Sequence, residues 1–207
     1  MKSLSLNRRI ALLSAAAALG GCSAVASLND AARPLDTYLL SPAAGSTSGA
    51  RTSRTVLVTR PDAPAAIASD RIMVKTGVAS ISYLPDARWS DELPAVLQSL
   101  LIRSVSATKR VGYVGKTEGG PVPDVVVLVR LDRFEVSAKA DETFEAVVDM
   151  AITMMDDQTQ RVIATRSFSR TAAVADDSAE TVTAVFQSVM NTLLPEASNW
   201  IISNARR

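Results

Sequence analysis

The chain has 207 residues, with 22 lysines and arginines, 21 aspartates and glutamates, one cysteine and no histidine. Without histidine there can be no Ser-His-Asp or Cys-His triad, no histidine general base and none of the commonest zinc sites. A formal net charge of +1, with both signs scattered along the chain, leaves no electrostatic footprint for nucleic acid.

The amino terminus reads as an export leader. Lys2, Arg8 and Arg9 precede an apolar run from Ile10 to Leu19, about ten residues, where a membrane span needs roughly 20. Leu19-Gly20-Gly21-Cys22 follows directly and resembles a bacterial lipobox. That resemblance implies cleavage after Gly21, a diacylglycerol thioether on Cys22 and acylation of the freed amine. An ordinary secretory cut nearby would leave Cys22 as an exported free thiol open to oxidation, whereas lipidation consumes it. Residues 1–21 are therefore expected to be a lipoprotein signal peptide and 22–35 a lipidated tether reaching about 45 Å when extended. Residues 36–207 form the domain. With the three leader cations removed, that remainder carries a net charge near −2, and the lipid is its only expected hold on a membrane.

Thr37 to Leu40 has the makings of a short first strand, and Ser41 to Arg54 is a loop of small residues. Thr55 to Thr59 is β-branched and closes at Pro61, which predicts a strand. Arg71–Lys75 and Ser80–Leu84 alternate apolar with polar around Thr76-Gly77-Val78 and predict a hairpin with one buried face. From Asp91 the period becomes helical, with Leu93, Val96, Leu97, Leu100 and Leu101 on one stripe, Asp91 as expected N-cap and Pro94 in the first turn. Gly112, Gly115 and Gly119-Gly120-Pro121 read as turns.

Val125 to Ala138 predicts a long strand whose inward phase switches at Asp132-Arg133, as a β-bulge would make it. Thr143–Met155 and Val162–Val174 continue an antiparallel meander through a turn at Asp156–Gln160. A second amphipathic helix starts around Asp177-Ser178-Ala179-Glu180 and runs toward Trp200-Ile201, with Pro195 expected to kink or break it. These elements predict one domain of α/β class, α+β in type, with a mostly antiparallel or mixed sheet covered on one face by two helices.

Four stretches resemble the ABC-type transport auxiliary lipoprotein family, which includes the paraquat-inducible protein C type. They are Tyr38-Leu39-Leu40, Arg88-Trp89-Ser90 leading into Leu93-Pro94, Leu131-Asp132-Arg133-Phe134-Glu135, and Trp200-Ile201. The resemblance spans nearly the whole mature chain. It implies an accessory lipoprotein, usually of the outer membrane and facing the periplasm, that serves an envelope ABC transporter. The partners implied are transporter components and a mammalian-cell-entry protein, in lipid movement between membranes. Ser23 after the cysteine is compatible with outer-membrane sorting.

Three functions remain open on the residues: a non-catalytic adaptor, which is favoured, a periplasmic lipid-binding carrier, and a carboxylate-dependent hydrolase. The pairs Asp91-Glu92, Asp141-Glu142, Asp156-Asp157 and Asp176-Asp177 could suggest a metal, but all fall at expected turns or helix starts, where acids satisfy backbone N–H groups. No metal, cofactor or catalytic residue is expected, and homo-oligomerisation is left open. Met150 and Met154 should point to one face of their strand and Met155 to the other. Tyr83, Arg88 and Trp89, anchor-type side chains at one strand-to-helix corner, are the candidate partner contact. The competing view makes Trp89 a buried staple between helix and sheet.

Overall fold

One long strand organises the sheet. The computed structural model describes residues 35–139 and 143–206, and within them the elements run β1 (Asp36–Tyr38), β2 (Thr55–Val58), β3 (Arg71–Lys75), β4 (Ile81–Trp89), α1 (Leu93–Ala107), β5 (Tyr113–Lys116), β6 (Val125–Ala138), β7 (Phe144–Asp156), β8 (Arg161–Val174) and α2 (Ala179–Asn204). β6 pairs antiparallel with β7 over its whole length, and β7 does the same with β8. The other edge of β6 is shared. Its first half runs parallel to β2, Val56 opposite Val125, and its second half parallel to β3, Val74 opposite Val136.

The segment between β2 and β3 bridges the gap along that edge. The Asp62 amide donates to the Val129 carbonyl at 2.9 Å, and the Leu131 amide donates to the Asp62 carbonyl at 2.8 Å. β5 adds to β2 in parallel, β4 to β3 as the expected antiparallel hairpin, and β1 to β4 in parallel. The eight strands thus make one mixed sheet.

Two irregularities re-aim side chains. Asp132 is the extra residue between the Leu131–Met150 and Arg133–Asp149 pairs. This bulge lets Val125, Val127, Val129 and Leu131 point inward before it and Phe134 and Val136 after it. In β4 the break falls at Pro85-Asp86, between the Met73–Tyr83 and Arg71–Arg88 pairs, and Asp86 is left-handed at φ 52°. The strand continues through it to Trp89, five residues further than the alternation from Ser80 to Leu84 predicts. Proline is tolerated there because the bulge asks nothing of its missing N–H.

Both helices cover the inner face. α1 buries Leu93, Leu97, Leu100, Leu101 and Val105. Its N-cap is Glu92 rather than Asp91. Asp91 instead accepts the amide of the next residue, Glu92, at 2.7 Å. α2 is capped by Ser178, whose hydroxyl accepts the Thr181 amide at 3.3 Å.

Pro195 does not break α2, which runs unbroken from Ala179 to Asn204. The carbonyl that loses its donor belongs to Asn191, an exposed residue, so water can take the donor's place. Beneath the helices Phe134 and Phe186 stack at 4.5 Å, and Met150, Ile152, Met154, Met190 and Ile201 fill the layer. Each buried aromatic or long aliphatic side chain there is worth about 1.5–3 kcal/mol.

Arg110, buried just past α1, pins the long loop before β2. Its guanidinium donates to the Ala50 carbonyl at 3.2 Å and the Ser46 carbonyl at 3.3 Å. Nearby, an added Cβ on Gly112 would lie 2.2 Å from the Ser53 carbonyl oxygen. Only glycine lets the chain pass so close and enter β5, the strand that the turn reading of Gly112 and Gly115 misses.

Candidate functional site

The corner carrying Tyr83, Arg88 and Trp89 separates when folded. Adjacent strand residues point to opposite faces, so Ala87 and Trp89 enter the core while Arg88 stays exposed. Trp89 is 2% exposed and meets Phe134 at 5.8 Å and Phe186 at 5.7 Å, both edge-on. It is the staple of the competing view, and its assignment to a docking surface is corrected accordingly. Tyr83 is half-buried, donates its hydroxyl to the Ala66 carbonyl at 3.2 Å and lies under the Arg71 guanidinium. Arg88 donates to the Thr37 hydroxyl at 3.2 Å and approaches the Asp70 carboxylate at 3.7 Å. Both ties hold β1 and the β3 approach in place.

The other singled-out residues have local roles. Asp156 accepts the Thr159 amide and hydroxyl, and Asp176 the Ser178 amide and hydroxyl. Hydrogen bonds to backbone Thr159 and to the Ser178 side chain, respectively, hold these carboxyls below their ordinary range. Among the described residues no three His, Cys, Asp or Glu side chains gather in metal-binding geometry. Met150 and Met154 are core, and Met155 points outward. Cys22 and the Asp141-Glu142 pair lie outside the described residues.

The sheet's outer face carries the feature that the residue-by-residue reading misses. Strand registers align Leu57 of β2, Val126 of β6, Met155 of β7 and Val162 of β8 in one row across the sheet, with Leu128 in the next row. Leu57 and Val126 are buried, with Gly120 close against Leu57. Leu128 at 38%, Val162 at 61% and, in the adjoining loop, Val122 at 85% remain exposed.

Elsewhere this face mixes ion pairs with the Thr153–Thr165 hydroxyl pair and the small buried side chains of Val147 and Ala151. Arg130 forks onto Asp132 at 2.8 and 3.0 Å, Arg133 onto Glu135 at 2.7 Å, and Lys139 reaches Glu145 at 3.1 Å. A signal for the apolar row was present: Val126, Leu128, Met155 and Val162 occupy outward phases that ordinarily go to polar residues.

Surface grooves flank the exposed Leu39. The larger, about 590 Å³, lies between the end of β1 and α2 and is lined by Tyr38, Leu39, Glu180, Thr183, Gln187 and Asn191. Its lining mixes polar and apolar groups, unlike the mostly apolar wall of a ligand cavity. Among the described residues no helix is long and apolar enough to cross a membrane.

This fold recurs among solved structures. The Xanthomonas campestris protein XCC0632 superimposes with a TM-score of 0.73 at 18% identity, over 83% of this chain and 97% of that one. An uncharacterized protein superimposes with a TM-score of 0.64 at 14% identity, over 82% and 99%. No curated protein matches this chain. The sequence model of the ABC-type transport auxiliary lipoprotein component matches residues 38–197, from the end of β1 to the last turns of α2. On that match, which takes in nearly all of the sheet and both helices, the chain belongs to the ABC-type transport auxiliary lipoprotein family.

Proposed function

We propose that this protein is a non-catalytic adaptor of an envelope ABC transporter, held to the outer membrane by lipid on Cys22 and facing the periplasm. In this reading it docks a mammalian-cell-entry protein in a pathway that moves lipid between membranes. The observation that carries it is the apolar patch of exposed Leu128 and Val162 around half-buried Met155, with exposed Val122 in the adjoining loop, on a sheet whose opposite face is closed by two helices. A closed core with a bare apolar patch is what an adaptor needs, whereas a carrier needs an enclosed apolar cavity of several hundred Å³.

The transporter component is the chosen occupant because the patch lies at the start of β6 and β8, while β1 leads back toward the other end of these strands. Contact there leaves the anchor unobstructed. Photo-crosslinkers at Leu128 and Val162 of the full-length lipoprotein, in membranes holding the transporter, should capture a mammalian-cell-entry component. Capture from Arg88 but not from these positions would move the interface back to the β4 corner. Capture of lipid alone, from inward-facing positions, would favour the carrier.

A further inference from the structure

The β3–β4 hairpin tip carries an apolar display that the fold does not use. The turn is closed by Thr76 and Ser80, whose backbone groups bond at 3.1 Å and whose hydroxyls bond at 3.2 Å. An added Cβ on Gly77 would sit 2.7 Å from the Ser80 hydroxyl, which would have to turn away from Thr76 to admit it. Turn chemistry is thus complete without Val78, in a place where polar residues and glycine are the rule. Yet Val78 is 100% exposed and Ile81, at the strand start, 49% exposed.

The end of β6 lies alongside, because Lys75 pairs with Ser137. Between the hairpin tip and this strand end is an open hollow of about 410 Å³ lined by Lys75, Thr76, Gly77, Val78, Ala138 and Lys139. Lys75 forms no ion pair among the described residues, while Lys139 is taken by Glu145.

The direction of β1 fixes the side from which the chain enters the domain. β1 runs parallel to β4, with Asp36 beside Ala87 and Tyr38 beside Trp89, so the chain enters the domain from the hairpin-tip side. Six strand residues, about 20 Å, separate Ala87 from Ile81. Residues 23–35, extended, reach about 45 Å. A bilayer holding Cys22 is therefore within reach of the tip.

We propose that the β3–β4 tip is a membrane-contacting element. Val78 and Ile81 enter the interfacial layer of the bilayer that carries the lipid anchor, with Lys75 at the level of the phosphates. The proposal rests on the Cys22 anchor read above. Tethering raises the local concentration of bilayer seen by two side chains that would bind it only weakly on their own. With the lipid anchor supplying most of the attachment, contact should depend little on lipid charge.

The test uses the full-length lipidated protein in vesicles of phosphatidylcholine, with or without phosphatidylglycerol. Lipidation consumes the Cys22 thiol, so Val78→Cys, Ile81→Cys and Val162→Cys each present one reactive site for an environment-sensitive fluorophore. Probes at positions 78 and 81 should emit to the blue and be quenched several-fold more by quencher-labelled lipid than the probe at 162, in both vesicle types. Protein that fails to float with vesicles overturns the anchor and this proposal with it. Floating protein whose probes at 78 and 81 stay water-like overturns the tip contact alone. A blue shift that needs an added transporter component and resists lipid quenching also overturns it, by assigning the tip to a protein.

Discussion

The two faces of β6 and β7 are built from alternate residues of the same strands, and they do opposite work. Inward residues Leu131, Phe134, Val148, Met150 and Ile152 are at most 2% exposed under the helices. Outward residues include a set of charge pairs on β6 and β7 and an apolar patch at one end. The inner face stabilises by removing apolar area from water, so every atom counts. Ion pairs on the outer face are screened and add about 0–1 kcal/mol each. In the adaptor reading proposed above, stability and recognition are thus separated by strand parity.

Truncation on the inner face should cost most. Phe134→Ala removes both the stack on Phe186 and the edge contact with Trp89 and should destabilise by about 3–5 kcal/mol, as should Trp89→Ala. Denaturant melts would show this, and a Trp89→Ala loss below about 1 kcal/mol would return that residue to the surface. At the rim of the covered side, Arg110→Ala leaves the Ser46 and Ala50 carbonyls without their donor and should cost about 1–3 kcal/mol. Protease cutting within residues 41–54 is expected to quicken with it.

On the outer face, Leu128→Ser and Val162→Ser should shift stability by no more than about 0.5 kcal/mol. In crosslinking and pull-down they should lower recovery of the transporter component by about tenfold or more, the signature of a contact hot spot. Equal recovery with both variants would break the division of labour between faces.

The smallest effect concerns acid. The Arg130 hydrogen bond holds the Asp132 carboxyl low, the Lys139 hydrogen bond does so for Glu145, and local turn bonds do so for Asp156 and Asp176. A native carboxyl held below its unfolded value adds stability that is whole above the ordinary carboxylate range near pH 4 and is lost as pH falls through the lowered native value. Stability should therefore be flat from pH 7 to about 5 and decline below about 4, and Asp132→Asn should shallow that decline. Urea midpoints across this range would measure it.

Local pattern made much of this architecture legible. The switch at Asp132-Arg133 announced its bulge because buried parity cannot change otherwise, and the stripes on α1 and α2 announced which helix faces are buried. What the pattern could not carry was partnership between distant segments: nothing near Val56 or Val74 says that both pair with β6. Four-residue β5 was hidden by its glycines, whose purpose at Gly112 is set by Ser53, nearly sixty positions earlier. Trp89 was ambiguous because its role depends on whether β4 stops at Leu84 or passes Pro85, which only the pairing with β1 and β3 decides. The apolar row was overlooked since its members lie on four strands and meet only through register.

The divided edge of β6 also dictates an order of assembly. The β6–β7–β8 meander joins neighbours through short turns and can close in about microseconds, as hairpins do. β2 and β3 must instead find strand positions roughly 60–70 residues ahead of them, across the whole of α1, before any of that loop entropy is recovered. The meander is therefore expected to be the folding nucleus, with the parallel half docking late and slowly. Until it docks, one edge of β6 stands open to foreign strands, which makes this a chain whose newly made form has most to gain from a holding chaperone.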